Sequence, residues 1–120
     1  MKVLVTGAAG MLGRKFCQEL VAKGVIASRE VESLTMADIV DSPPMESPFA
    51  TRSVACDLGA RGVAEQLVAE HPEIVLHTAA VVSGEAEADF DKGYRINVDG
   101  TRYLFEAIRK ANNRDRKSVV

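Results

Sequence analysis

The spacing of three glycines, Gly7, Gly10 and Gly13, constrains this chain more than any other feature. A β-branched run, Val3-Leu4-Val5, breaks at Thr6-Gly7, and a helical pattern with Leu12, Phe16 and Leu20 on one face begins with no linker between them. Strand, tight turn and helix are therefore expected to follow one another directly. Gly7 can take the turn, Gly10 lets the backbone approach a ligand with no Cβ in the way, and Gly13 lets the helix lie close on the strand. The helix would begin at Met11 and Leu12, and its free N–H groups and positive dipole end suit a pyrophosphate. No Lys-Ser or Lys-Thr follows the glycines, which excludes a Walker phosphate loop.

Downstream, the first helix is expected to end near Lys23-Gly24, with a basic last turn and a glycine C-cap. Residues 33–37 read as a second strand ending on Asp38, 25 positions beyond Gly13. A carboxylate there would bond the adenosine ribose hydroxyls of a dinucleotide, although a solvated turn aspartate has the same pattern. Three prolines within residues 41–49 preclude a regular helix or a central strand, so that stretch is a loop. Residues 53–56 resume a strand pattern, and Asp57-Leu58 stands before a helical stretch over residues 60–70, which Asp57 can cap.

Pro72 stops that helix, and residues 73–76 form an apolar run of the kind found in buried parallel strands. At its carboxyl end come His77, Thr78, Ala79 and Ala80, where the two small alanines let a flat cofactor pass close by. His77 has no second ligand-type residue at metal spacing and reads as a hydrogen-bonded structural histidine; no metal site is expected anywhere. From Asp89 a helical stripe of about twenty residues runs through Phe90, Tyr94, Asn97, Thr101, Leu104, Phe105 and Ile108. Its oddities are the inward polar Asn97 and Gly100, the latter costing about 1 kcal/mol against alanine in a helix interior. Residues 118–120 resemble the opening of a fifth strand.

A length of 120 residues bounds the chain to one domain, and 47% hydrophobic content suffices for a core. A formal net charge of −2 and few aromatics give no reason to expect nucleic acid. Cys17 and Cys56 lie in no CxxC pair and read as buried free thiols. No apolar run approaches 18 residues and the glycine turn lies where a signal peptide would be, so no membrane association and a cytoplasmic location are expected.

Thr6-Gly7-x-x-Gly10-x-x-Gly13 resembles the signature of the extended short-chain dehydrogenase/reductase superfamily. The resemblance implies an α/β fold, a Rossmann-type doubly wound parallel sheet over residues 1–120 truncated near its fifth strand, with NAD as cofactor. It also implies Asp57-Leu58 against the adenine, the His-x-Ala-Ala pattern at 77–80, and Asn97-Val-Asp-Gly-Thr101 packed close under the cofactor. By its residue type alone, Asn97 could equally bridge two backbones.

The run over residues 81–94 is similar to sugar-acid dehydrogenases of that branch, which implies oxidation of a small, D-erythronate-like sugar acid at its C2 hydroxyl. Ser83 and Gly84, at the ligand-binding edge, would supply a hydroxyl and open N–H groups to such a substrate. One departure stands out. The superfamily's reaction needs a tyrosine with a lysine four residues later, and Tyr94 and Tyr103 are followed at that spacing by Val98 and Ala107. No catalytic residue is therefore expected within the chain, which reads as the amino-terminal part of a longer enzyme. A nucleotide-sugar epimerase or dehydratase shares every cofactor motif, and a non-catalytic dinucleotide sensor is the alternative from another class. A homodimer is left open.

Overall fold

The computed structural model describes residues 1–79, 95–112 and 118–119, and the side chains of residues 1–79 and 98–111. The expected strands assemble into one parallel sheet. Strand β1 (Lys2–Thr6) lies between β4 (Ser33–Asp38) and β6 (Ile74–His77), with β5 (Ala50–Ala55) outside β4 and β7 (Ser118–Val119) outside β6. The order β5-β4-β1-β6-β7 is that of a Rossmann sheet. From β1 the chain builds first to one side and then to the other, so the crevice beyond the carboxyl ends of β1 and β6 is the topological switch point.

Alternation along β1 divides the core in two. Val3 and Val5 face helix α1 (Met11–Lys23) and pack with Cys17, Leu20, Leu34 and Met36. Leu4 faces the other way, with Val75, against α2 (Val63–Val68) and α3 (Thr101–Asn112) through Leu67, Leu104 and Ile108. Each such fully buried aliphatic side chain contributes roughly 1.5–3 kcal/mol of transfer free energy.

Several expectations are corrected. The buried stripe of α1 is Gly13, Cys17 and Leu20, with Phe16 partly buried, whereas Leu12 is 70% exposed. Burial follows the glycine, because only a residue without a Cβ lets the first turn lie on the loop. Helix α2 starts at Val63 rather than 60, since Gly62 sits at φ +85 and interrupts the helical path. Strand β5 starts at Ala50, as Thr51 and Arg52 pair with Leu34 and Thr35 despite their polarity. In place of one long α-helix, the described part is a π-helical segment, Arg95–Gly100, running into α3, and Phe105 is 50% exposed. Residues 89–94 lie outside the described residues. Cys17 is buried as expected, with its thiol pushed up to about 11 by that burial, but Cys56 is only partly buried.

A short antiparallel hairpin, β2 (Val25–Ile26) with β3 (Arg29–Glu30), was not expected. The C-cap of α1 matches its sequence signal: Gly24 is left-handed at φ 69, and its N–H donates to the Leu20 carbonyl.

Candidate functional site

The turn after β1 is where backbone geometry is least tolerant. Gly7 has φ +72, and a Cβ there would stand 2.6 Å from Ala79 N and Thr78 C, so neither its conformation nor its surroundings admit a side chain. A Cβ on Gly13 would overlap the Gly7 carbonyl oxygen and lie 2.9 Å from Ala8 Cα. Gly10 differs: it is extended and exposed, and its Cβ would meet only Gly7 O, at 3.3 Å. The turn closes through Gly10 N–H donating to Gly7 O at 3.0 Å.

Helix α1 opens from this turn with no side-chain cap and no acidic residue in its first turn. Its first bond across the boundary is Arg14 N–H to Gly10 O, at 2.9 Å. The N–H groups of Met11, Leu12 and Gly13 therefore find no acceptor among the described residues, and Met11 and Leu12, both exposed, stand at the positive dipole end.

Asp38 reaches the same turn from the end of β4. Its Oδ2 accepts from Ala9 N–H at 2.9 Å and its Oδ1 from Ile39 N–H at 2.6 Å. Each carboxylate oxygen keeps a further lone pair, so the group ties down the loop and can still accept from a ligand hydroxyl. Large apolar side chains stand exposed just beyond both partners: Met11 at 81% and Leu12 on one side, Ile39 and Val40 on the other. Such a surface beside open N–H donors suits a ligand with both flat apolar and anionic parts.

Across the crevice, Thr78 donates its hydroxyl to the Thr6 carbonyl at 2.7 Å, and its N–H bonds the same carbonyl at 3.0 Å. His77 is partly buried, and its ring lies between two hydroxyls, Thr6 Oγ1 at 2.6 Å from Nδ1 and Thr101 Oγ1 at 2.9 Å from Nε2. Burial holds its pKa below the ordinary imidazole value, so the ring is neutral at pH 7. The expected structural role of His77 is thus seen in its bonds. The sequence named Thr6 and Thr101 within their motifs but not as partners of the ring, because the two stand on elements that meet only in the fold.

Of the other residues singled out, Ala79 is half-buried beside Gly7 and packs against the α2–α3 core. Asp57 accepts Gly59 N–H on Oδ1 at 2.9 Å, a turn ahead of α2 rather than its cap, which falls on Gly62. Leu58 is buried in the same core cluster as Leu104, so its side chain is packed away from any ligand. Gly100 is buried, and a Cβ there would sit 3.6 Å from the Leu58–Gly59 backbone, an ordinary contact. Ala80, Ser83, Gly84 and Tyr94 lie outside the described residues, as does the Asn97 side chain. Tyr103 carries Arg102 5.1 Å over its ring and has buried Ala107, not a lysine, one turn later. Among the described residues no three His, Cys, Asp or Glu side chains could hold a metal, and no described helix is long and apolar enough to cross a membrane.

Comparison with known proteins places this geometry in a family. D-erythronate dehydrogenase of Cupriavidus necator is 38% identical over 97% of the chain, which spans 37% of that relative. A solved structure of a nucleoside-diphosphate-sugar epimerase from Agrobacterium tumefaciens is 50% identical, with a TM-score of 0.93 over 99% of the chain and 36% of its own. Uronate dehydrogenase from the same organism, solved in complex with NAD, is 28% identical with a TM-score of 0.71, over 91% of the chain and 36% of its own. The chain therefore spans little more than a third of the length of these relatives. Residues 3–119 match the NAD dependent epimerase/dehydratase family, and the chain belongs to it.

Proposed function

We propose that this chain is the NAD-binding part of a longer oxidoreductase that oxidises a small sugar acid, of the D-erythronate type, at its C2 hydroxyl. The observation that carries the reading is the turn over residues 6–13, in which Gly7 and Gly13 leave no space for a Cβ and the start of α1 leaves its donors open. The pyrophosphate would lie on the N–H groups of Met11 and Leu12, next to Gly10, and the adenosine ribose against Asp38. The adenine would lie by Asp57 and the Leu58 backbone, with the nicotinamide half passing Ala79 and Ala80. Asn97 would lie beneath the cofactor, and Ser83 and Gly84 would meet the substrate.

NAD, when bound, accepts hydride from an alcohol carbon. The accompanying proton needs a base, and the chain holds no tyrosine with a lysine four positions on. That group would come from the remainder of the protein. The sugar-acid reading draws on the 38% identity to D-erythronate dehydrogenase; the 50% identity to a nucleoside-diphosphate-sugar epimerase favours a second reading, reversible oxidation of a nucleotide sugar. The two differ in redox balance. Full-length protein given NAD and D-erythronate should accumulate NADH; interconversion of a nucleotide sugar without net NADH, and none from D-erythronate, would establish the epimerase reading instead.

A further inference from the structure

We propose that His77 is a positioning residue for the cofactor turn: a one-way chain of hydrogen bonds, Thr6 hydroxyl to Nδ1 and Nε2–H to Thr101 hydroxyl, locks the turn to the start of α3. The inference rests on the NAD-binding reading above and adds to it a residue that touches no ligand.

The direction follows from accounting for donors. Thr6 is 1% exposed, so its hydroxyl hydrogen needs an acceptor within the protein. The ring Nδ1, at 2.6 Å, is that acceptor. A neutral imidazole with a bare Nδ1 carries its hydrogen on Nε2, and 2.9 Å away Thr101 Oγ1 accepts it. The opposite tautomer would use Nδ1–H as the donor and orphan the buried Thr6 hydrogen. Burial also favours the neutral ring that this chain requires.

The location of the three residues gives the bridge its purpose. Thr6 immediately precedes Gly7, and Thr78, next to His77, bonds the Thr6 carbonyl at 2.7 Å and the Gly7 carbonyl at 3.3 Å. Gly7 O in turn receives Gly10 N–H, the bond that closes the turn. The pair 77–78 thus holds the first residues of the turn by both side chain and backbone. At the far end Thr101 is the first α-helical residue after the π-helical segment, a kind of junction frequent at functional sites. Helix α3 is itself anchored in the core by Leu104, Ala107 and Ile108. Through His77 the turn takes its position from that anchor, 71 residues beyond Thr6 for the ring and 95 for Thr101.

The test uses the full-length protein. Thr101→Val keeps the shape and removes the acceptor for Nε2–H, and Thr101→Ser restores it. The expected result is NAD affinity about tenfold weaker in Thr101→Val by calorimetric titration, the loss of one hydrogen bond's worth, and near-normal affinity in Thr101→Ser. Unchanged NAD affinity in a folded Thr101→Val protein, with only its melting temperature lowered, would make the bridge a matter of stability alone and overturn the proposal. The nitrogen-15 spectrum of the His77 ring, read in the unaltered protein, should show hydrogen on Nε2 and none on Nδ1. A hydrogen on Nδ1 overturns the proposal even if Thr101→Val fails to fold. Absence of NAD binding by the unaltered protein would sink the cofactor reading, and the positioning role with it, while the ring spectrum still reports on the bridge.

Discussion

Helices α1 and α2 both begin at a glycine without a side-chain cap, yet the two beginnings are built for different ends. Helix α2 supplies its own negative charge through Glu65 in its first turn, and Asp57 upstream takes up Gly59 N–H. Its Gly62 is left-handed but stands in open space, with nothing within 4 Å of a would-be Cβ. Helix α1 has no acid in its first turn, and although Gly10 at its start is exposed, Gly7 and Gly13 on either side are enclosed by backbone. Among the described residues the carboxylate that bonds the turn is Asp38, which accepts from Ala9 ahead of the helix and leaves the helix donors open. A helix start that is crowded from behind and unfilled in front is shaped around something outside the chain; one that is roomy and self-neutralised is only a turn.

The largest expected effect separates Gly13, in the first turn of α1, from Gly62 at the start of α2. Gly13→Ala must displace Gly7 and should cost about 3 kcal/mol, the upper end for overpacking, whereas Gly62→Ala carries only left-handed strain, about 1 kcal/mol. Urea unfolding of both variants measures the difference, and equal losses would erase the contrast. Next comes charge. Asp38 close to a ribose 2′-phosphate would repel it by roughly 1–4 kcal/mol, so NAD should be preferred to NADP and Asp38→Asn should narrow the gap. Comparing kcat/KM for the two cofactors on the full-length protein decides the point; a ratio unmoved by the substitution would reduce Asp38 to a loop tie. The smallest is Gly10→Val, whose Cβ meets only Gly7 O and which should leave the fold intact while weakening NAD by about 1.4 kcal/mol, tenfold. Calorimetric titration of the folded variant reads it, and unchanged affinity would move the pyrophosphate away from Gly10.

What the chain announces in advance is what local chemistry controls. The strand–glycine–helix order, the Gly24 cap and the proline-rich loop were legible because each follows from residues adjacent in sequence. The hairpin at 25–30 was not, because its turn uses Ala27 and Ser28 at φ 50 and 64, positions where Asn-Gly is the usual signal. Leu12 misled because a hydrophobic period does not say which side of a stripe a glycine claims. His77 could be recognised as hydrogen-bonded, but its partners Thr6 and Thr101 come from elements joined only in three dimensions. The cradle was thus readable as a motif and its anchor was not.

Strand β1 lies in the middle of the sheet, and this has a consequence for how the protein comes to be folded. It is synthesised before both of its partners, β4 and β6, and Thr6 pairs with His77, 71 residues later. At about 5–20 residues per second on a ribosome, the central strand waits roughly 4–14 s for its second neighbour. Contacts of such separation also make the search itself slow. Through that interval Val3, Leu4 and Val5, all buried at the end, lack their final neighbours, so a need for protection from aggregation falls on this strand.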